Sequence, residues 1–219
     1  EMSTTDSSEV IRLGKMFESF KCSTLDGPVS GGCHKAATGN ISIFVGGNKN
    51  IFNSILPILN IMGKKIIYTG KLGSASILKV ITNYLATTHL VALGEALMVA
   101  KKSDINLDIA YKAIKSSSGN SFVHETESQL ILNGSYKIDF TMDLVLKDII
   151  LFNELSKFYQ IPTEISPLLI KIFNDGSLKY GKRAWSSMIV KRLEDHCNTN
   201  LRAKGYPSEL IDEEIENKV

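Results

Sequence analysis

The amino-acid sequence predicts a mixed fold, in which a small α/β piece is followed by an all-α domain. Strand-like runs alternate with helical stretches as far as Gly70, and every later segment has helical periodicity. A proline-free helical stretch over 74–102 joins the two parts. The length of 219 residues is about one and a half domains of ~150 residues.

Composition and charge exclude several classes of protein. Hydrophobic residues make up 43% and charged residues 22%, which excludes wholesale disorder. The net charge of +2 is too balanced for a dedicated nucleic-acid binder. The longest apolar stretch, 84–100, is interrupted by His89 and Glu95. Because a membrane span needs ~20 mostly apolar residues, we expect a buried helix and no membrane segment.

The cysteines and histidines predict neither a disulfide framework nor a metal site. Cys22, Cys33 and Cys197 are odd in number and widely spaced, which is typical of a reducing compartment. The histidines lack H-E-x-x-H spacing, and the adjacent pairs of cysteine and histidine cannot easily reach one metal together. The sequence starts at Glu1 rather than at Met, so we expect the natural N-terminus upstream, and no targeting signal can be assessed.

The α/β piece opens with a helix, because Asp6 followed three residues later by Glu9 is an N-terminal signal. Its apolar face consists of Val10, Leu13, Phe17 and Phe20. Further elements are predicted by periodicity and by flanking glycines: strands over 22–26, 41–45 and 65–69, and a helix over 49–62.

The second part of the chain contains helices alone, punctuated by glycines and prolines. They are predicted over 107–117, 120–133, 141–160, 164–174 and 184–197. The tail from Asn198 is acidic, with Glu209, Asp212, Glu213, Glu214 and Glu216, and is expected to be solvated or loosely packed. The predicted division is an α/β remnant over 1–72, an interdomain helix over 73–103, an all-α domain over 104–197 and a tail over 198–219.

A glycine-rich run follows the first predicted strand. Ser30, Gly31 and Gly32 present backbone N–H groups without side-chain obstruction, and Ser30 adds a hydroxyl. Such a concavity suits an anion, for example a carboxylate. The alternative is a tight turn that needs positive φ, and spacing alone favours that alternative.

The long helix carries Lys79 and, four residues later, Asn83. Because these positions share a helix face, the ammonium and the amide can address one small polar group. An apolar setting would lower the pKa of a lysine from ~10.4 towards the range of general acid/base catalysis. The alternative is a surface lysine with a helix-capping asparagine.

Two further segments allow two interpretations each. Lys147 and Asp148 form a charged pair on a strongly apolar helix, where they either reach a ligand or occupy an ordinary solvated face. The polar stretch 116–121 either lines a cleft or is a helix–helix loop with an N-cap.

The order of these motifs resembles the β-hydroxyacid dehydrogenase family, which includes 3-hydroxyisobutyrate dehydrogenases and glyoxylate/succinic semialdehyde reductases. The resemblance rests on D-x-P-V-S-G-G, then G-x-x-G-x-x-x-x-x-K-x-x-x-N, then F-x-x-x-x-x-x-K-D, and extends from about Ser3 to Glu194. It implies a Rossmann domain, a long interdomain helix and an all-α C-terminal domain of the 6-phosphogluconate dehydrogenase type. It also implies an oxidoreductase that transfers hydride between NAD or NADP and the β-carbon of a short hydroxy acid or semialdehyde.

The resemblance assigns roles to individual residues. Ser30, Gly31 and Gly32 would hold the substrate carboxylate. Lys79 would be the acid/base, and Asn83 would orient the reacting oxygen and the lysine.

Further residues would form the cofactor side of the pocket. Lys147 would approach the nicotinamide and the substrate, supported by Phe140 and Asp148. The stretches Ser118–Ser121 and Ser3–Thr4 match polar segments of the family near the cleft and near the nicotinamide.

The family resemblance and the apolar surface of the long helix over 74–102 both predict self-association. We expect a homodimer or tetramer that acts on a small hydroxy acid or semialdehyde, without nucleic-acid or membrane partners. The cytoplasm is favoured as the location, with the mitochondrial matrix as an alternative.

Several departures from the family pattern matter. The G-x-G-x-x-G phosphate loop and the residue that selects NAD or NADP are absent. We therefore expect that the N-terminal part of the Rossmann domain is missing and that this chain alone is inactive. Gly27 and Lys35 replace the usual alanine and glycine of the substrate loop, which leaves the substrate open, and 184–187 departs from the usual acidic-x-Ser-Ala stretch.

Two alternatives to this enzyme class share parts of its pattern. One is a non-catalytic module of the same fold, which forms helical dimers or binds small carboxylates. The other is 6-phosphogluconate dehydrogenase itself, which would need phosphate-binding basic residues and a much larger α-domain. The sequence upstream of Glu1 discriminates the enzyme from the module, because only the enzyme needs a strand and a G-x-G-x-x-G turn there.

Overall fold

A computed structural model describes residues 1–214 of the chain. These residues divide into two compact units, 1–82 with 211–214, and 83–210. The boundary lies inside the long helix, whereas the sequence-based division placed boundaries at its two ends. Each unit has its own hydrophobic core.

The first unit is an α/β layer. Its elements are α1 Ser7–Glu18, β1 Leu25–Asp26, β2 Val29–Ser30, α2 Gly32–Ala37, β3 Ser42–Gly47, α3 Lys49–Met62, β4 Lys65–Gly70 and the first part of α4 Ser74–Lys102. Strands β1 and β2 both pair antiparallel with β3, in the registers Leu25↔Gly47 and Val29↔Ile43. Strand β4 pairs parallel with β3, with Ile43 opposite Ile66. The unit β3–α3–β4 is therefore a βαβ crossover, the connection that parallel strands require.

Side-chain caps fix the starts of two helices in this unit. The Asp6 carboxylate accepts a hydrogen bond from the Ser8 N–H at 2.8 Å, as an N-cap does. Asn48 caps α3 in the same way, which explains why the predicted bounds 49–62 are confirmed. The predicted partner in α1, Glu9, binds Arg12 instead of the cap backbone.

The sequence analysis was wrong about parts of the first unit. Phe20 lies beyond the end of α1 and is 69% exposed, so it contributes nothing to a buried helix face. The strand predicted over 22–26 is reduced to Leu25–Asp26, because only these residues pair with β3. The glycine-rich run contains β2 and the start of α2, which periodicity could not detect in such short segments.

The second unit is helical apart from one isolated bridge between Thr141 and Trp185, as far as residues 83–210 are concerned. After the rest of α4 it contains α5 Leu107–Lys115, α6 Phe122–Asn133, α7 Met142–Phe158, α8 Ile165–Tyr180, a 3₁₀ turn Ser186–Val190 and α9 Lys191–His196. Its core is fully buried at Leu97, Leu130, Ile131, Leu132, Met142, Ile149 and Phe173.

Helix α8 is longer than predicted, because a glycine inside it serves close packing. The sequence placed the end at 174, ahead of Gly176, but α8 continues to Tyr180. A Cβ on Gly176 would lie 2.5 Å from Ile189 Cδ1, so this glycine serves close packing inside the helix. The helix predicted over 184–197 is a 3₁₀ turn followed by the short α9.

The tail is exposed over much of its described length, as expected, but its first part, around Leu201, packs against the second unit. Leu201 is fully buried, and the Ala203 N–H donates to the Leu132 carbonyl at 3.0 Å. Glu194 is 2% exposed and accepts from the Leu201 N–H at 2.8 Å and from Arg202 Nη1 at 2.7 Å. The tail packs because it supplies the partners that a buried carboxylate needs. Glu216 lies outside the described residues.

Helix α4 is long and apolar enough to cross a membrane by length and composition alone, and it is the one such helix among residues 1–214. Only 28% of its most apolar 18-residue segment is buried within the protein. The helix is therefore partly buried, whereas the sequence predicted a buried helix. A helix in the core of a water-soluble protein meets the same criteria, so the expectation of no membrane segment stays a prediction.

Candidate active site

The glycine loop of the first unit adopts the conformation that its residues permit. Strand β2 ends at Ser30, and Gly31 and Gly32 follow with φ of 134° and 85°. Residues other than glycine rarely adopt these angles. Gly31 is the N-cap of α2 and has no side chain to bond the first turn. The turn with positive φ is therefore confirmed, and the carboxylate-binding role of the same residues stays a prediction.

Asp26 anchors the start of the helix that carries Lys79. This carboxylate is fully buried, and Oδ1 accepts from the Gly73 N–H at 2.9 Å. Oδ2 accepts from the Ser76 N–H at 2.8 Å and from Ser76 Oγ at 3.0 Å. A negative charge at a helix N-terminus is favourable because it satisfies unpaired N–H groups and complements the helix dipole.

The anchoring role of Asp26 was missed by the sequence analysis, which treated this residue only as the start of the loop motif. Space for the carboxylate is provided by Gly46, since a Cβ there would lie 2.4 Å from Asp26 Oδ1. The one local signal was an aspartate at a strand end, directly before Gly27.

Lys79 lies half-buried on α4 in the first unit. The helix is continuous from Ser74 to Lys102, so Asn83 follows one turn later on the same face. The predicted spacing of the lysine and the amide is therefore confirmed as helical.

Asn83, Lys147 and Asp148 are brought together in the second unit. Asn83 Nδ2 donates to Asp148 Oδ2 at 2.6 Å, and Lys147 Nζ lies 2.9 Å from Asp148 Oδ1. The Asp148 side chain is 3% exposed, whereas that of Lys147 is 45% exposed. Asn83 therefore does not cap a helix, and Asp148 does not lie on a solvated face. A buried carboxylate with two polar partners fixes the amide and holds a cation nearby.

An aromatic stack lies next to this cluster along the chain. The rings of Tyr84 and Phe152 are parallel within 4°, with centroids 3.8 Å apart. Because Tyr84 directly follows Asn83, the stack restrains α4 against α7 where the amide meets Asp148. The sequence analysis did not identify this stack.

The remaining predicted residues have local structural roles. Phe140 packs against the core of the second unit, and its carbonyl accepts from the Ser186 N–H at 2.8 Å. Ser121 is the N-cap of α6 and accepts from the His124 N–H at 3.0 Å, which confirms the capping alternative. The Ser3 N–H donates to Glu1 Oε1 at 2.7 Å. None of these contacts tests the predicted roles near the cofactor.

Metal-ligating side chains are scattered. In residues 1–214, no three histidine, cysteine or carboxylate side chains are grouped to hold a metal ion. Cys22, Cys33 and Cys197 are free thiols. His124 is buried with both ring nitrogens bonded, to the Tyr111 carbonyl and to Ser128 Oγ, each at 2.9 Å.

Two family profiles match the chain. Residues 1–70 match the profile described as the NAD binding domain of 6-phosphogluconate dehydrogenase. Residues 73–193 match that described as NAD-binding of NADP-dependent 3-hydroxyisobutyrate dehydrogenase, and this match alone covers more than half of the chain. The chain belongs to the β-hydroxyacid dehydrogenase family.

Curated relatives agree with this membership. The chain is 29% identical over 191 residues to a 2-(hydroxymethyl)glutarate dehydrogenase of Eubacterium barkeri, covering 86% of this chain and 64% of the relative. It is 30% identical over 167 residues to an L-threonate dehydrogenase of Haemophilus influenzae, covering 75% of this chain and 56% of the relative. The chain thus spans less than two thirds of the length of these relatives.

Solved structures confirm the predicted fold class. A 3-hydroxyisobutyrate dehydrogenase from Salmonella typhimurium matches with a TM-score of 0.80 at 26% identity, covering 87% of this chain and 67% of that structure. A 3-hydroxyisobutyrate dehydrogenase from Mycobacterium tuberculosis has the same fold, with a TM-score of 0.79 at 23% identity. The chain therefore shares the fold of these dehydrogenases, which in this chain consists of an α/β part, a long helix and an all-α part.

Proposed function

We propose that the protein carrying this chain transfers a hydride between NAD or NADP and the β-carbon of a short hydroxy acid or semialdehyde. Given that the chain belongs to this family, the proposal rests on one observation. Lys79 and Asn83 lie one turn apart on α4, and the amide of Asn83 is fixed by the buried carboxylate of Asp148.

In this proposal, Lys79 is the residue that donates and accepts the proton. When an aldehyde is reduced, Lys79 Nζ donates a proton to the carbonyl oxygen, and it takes the proton back when the alcohol is oxidised. Asn83 orients that oxygen. Its hydrogen bond to Asp148 at 2.6 Å removes rotational freedom from the amide, so less ordering is needed when the substrate binds.

The substrate carboxylate is assigned to Ser30, Gly31 and Gly32. Positive φ at both glycines exposes main-chain N–H groups without a Cβ, and Ser30 adds a hydroxyl donor. Because the named relatives act on hydroxy acids, which carry a carboxylate, the substrate class is a short hydroxy acid.

The cofactor assignment is supported at one end of the dinucleotide. Lys147 with Asp148, and Phe140, would face the nicotinamide. Residues 1–214 contain no strand, G-x-G-x-x-G turn and helix in succession, so the phosphates would need residues that the described part lacks. NAD or NADP, when bound, supplies or accepts the hydride.

A homodimer, or a tetramer built from it, is the assembly that we propose. Leu85, Ala92 and Val99 recur every seven residues on α4, and all three are exposed. Leu85 is 46% and Val99 66% exposed, so an apolar seam along one face of α4 is open to a second copy. The cytoplasm is the proposed location, with the mitochondrial matrix as the alternative.

The proposal is tested by Lys79→Ala in the protein that carries this chain. Turnover is followed as NADH or NADPH oxidation against a panel of short semialdehydes, and we expect a loss of about 10²- to 10⁴-fold. The matched control is Lys71→Ala, which removes an exposed lysine outside the helix and leaves turnover unchanged.

Two results would contradict the proposal. Undiminished turnover in Lys79→Ala would remove the acid/base role. Carboxylate binding without any hydride transfer by the wild type would favour the alternative, a non-catalytic module of the same fold.

A further inference from the structure

An acidic segment of the tail binds the helix that follows the glycine loop. Asp212 Oδ2 accepts hydrogen bonds from Thr38 Oγ1 at 2.5 Å and from Asn40 Nδ2 at 2.6 Å. Lys35 Nζ lies 3.7 Å from Asp212 Oδ1. The Asp212 side chain is 3% exposed, and the hydrogen bonds from Thr38 and Asn40 hold its pKa below the usual range. These are charge-assisted bonds with little competition from water.

Glu214 extends the same contact. Its Oε1 lies 2.5 Å from Lys35 Nζ, and its Oε2 lies 2.8 Å from Lys64 Nζ. The two ammonium groups lower the pKa of Glu214. Because the Glu214 side chain is 46% exposed, each pair is weaker than the contacts of Asp212. We refer to Asp212 and Glu214 as the acidic latch.

Helix α2 is an element that needs outside support. It has six residues, Gly32–Ala37, and contains no buried residue. Isolated helices shorter than about 12–15 residues are marginal in water. Its N-cap, Gly31, makes no side-chain bond, and the acidic latch contacts Lys35 within α2 and Thr38 at its C-terminal end.

Lys35 connects the acidic latch to the glycine loop. A Cβ built on Gly31 would lie 3.3 Å from Lys35 Cδ and 3.4 Å from Lys35 Cβ, so the lysine side chain lies against the loop backbone. Fixing the ammonium of Lys35 therefore restrains the side chain that packs under Gly31. Lys35 stands where the family resemblance has a glycine, so this link is a feature of this chain.

We propose that the acidic latch positions the Ser30–Gly32 loop and thereby strengthens binding of the substrate carboxylate. Asp212 and Glu214 are positioning residues, because they act through Lys35 and Thr38. The identity of the ligand rests on the proposed function, whereas the restraint on α2 does not.

The test compares the wild type with an Asp212→Asn/Glu214→Gln double variant and with the control Glu213→Gln, an exposed acidic residue between the two. Hydrogen exchange at amides 31–40 should accelerate about tenfold in the double variant and stay unchanged in the control. Lys35→Met should accelerate the same amides. The dissociation constant for 3-hydroxypropionate, a short β-hydroxy acid used as the probe, should rise about three- to tenfold.

The outcomes separate the latch from the proposed function. Unchanged exchange at residues 31–40 would overturn the proposal whatever the probe does. Faster exchange with an unchanged dissociation constant would overturn the positioning role. If the proposed function fails, the wild type shows no binding of the probe while exchange still differs, and that result overturns the link to a carboxylate.

Discussion

Glu127 on α6 carries a buried carboxyl oxygen. Its Oε2 is buried, and no hydrogen-bond partner for it lies among the described residues. Burial raises the pKa of Glu127 from 4.5 to about 8, because the charged form loses its hydration. The folded protein therefore keeps a proton on Glu127 over a range of pH in which the unfolded chain has lost it.

This residue predicts a specific dependence of stability on pH. Between pH 4.5 and about 8, the folded state binds one proton more than the unfolded state at Glu127. As the pH rises through this window, the free energy of unfolding should then fall by about 1.4 kcal/mol for each pH unit. Glu127→Gln removes that slope, so the variant should gain stability over the wild type as the pH rises through the window. Urea denaturation at several pH values within it measures the difference.

A suitable control is Glu125→Gln on the same helix. The pKa of Glu125 is lowered by a hydrogen bond from Asn120, so its replacement should give no gain at the alkaline end of the window. Parallel stability profiles for the wild type and Glu127→Gln would show that Glu127 ionises normally in the folded protein.

At the scale of elements, the start of α4 depends on one buried carboxylate. Asp26 accepts three hydrogen bonds, from the Gly73 N–H and from the N–H and hydroxyl of Ser76. Asp26→Ala should lower the free energy of unfolding by about 3 kcal/mol, because it leaves buried donors unpaired. The exposed N-cap Asp6 is the control, where Asp6→Ala should cost about 1 kcal/mol. Equal losses in the two variants would contradict the anchoring role.

The packing of the tail against the helical unit depends on Glu194. This residue accepts from Tyr136 Oη at 2.5 Å, from the Leu201 N–H and from Arg202. Glu194→Ala should lower the free energy of unfolding by about 3 kcal/mol, because it leaves the buried Tyr136 hydroxyl and the buried Leu201 N–H without their acceptor.

An exposed ion pair elsewhere in the tail provides the control for Glu194→Ala. Glu209 pairs with Lys137, and its side chain is 64% exposed. Glu209→Ala should change the free energy of unfolding by about 0–1 kcal/mol. Thermal unfolding of both variants measures the difference, and a tolerated Glu194→Ala would refute the dependence on this carboxylate.

At the scale of the whole molecule, α4 presents the apolar seam of Leu85, Ala92 and Val99. If a second copy covers this seam, Leu85→Glu and Ala92→Glu should each weaken self-association by at least about tenfold, because they bury an unpaired charge. Light scattering after size exclusion measures the mass. The control Ile58→Glu changes an apolar side chain on α3 that is 59% exposed, and it should leave the mass unchanged. A monomeric wild type would contradict the proposed assembly.

The amino-acid sequence by itself determined those features that depend on near neighbours. The bounds of α3 follow from the Asn48 cap, and the length of α4 follows from uninterrupted helical periodicity; both were predicted correctly. The same is true of the glycine turn and of the spacing of Lys79 and Asn83. Each of these depends on residues within a few positions along the chain, where backbone geometry relates sequence directly to structure.

Only the tertiary structure decided which charges are buried and what satisfies them. Asp26 meets Gly73 across 47 residues, Asn83 meets Asp148 across 65, and Asn40 meets Asp212 across 172. No local pattern specifies such pairs. Whether a carboxylate is solvated or buried depends on the segments that pack around it, because desolvation must be offset by partners that the fold brings from elsewhere. For that reason two points of a tail predicted to be solvated are packed, Asp212 beside the glycine-loop helix and Leu201 in the core of the helical unit.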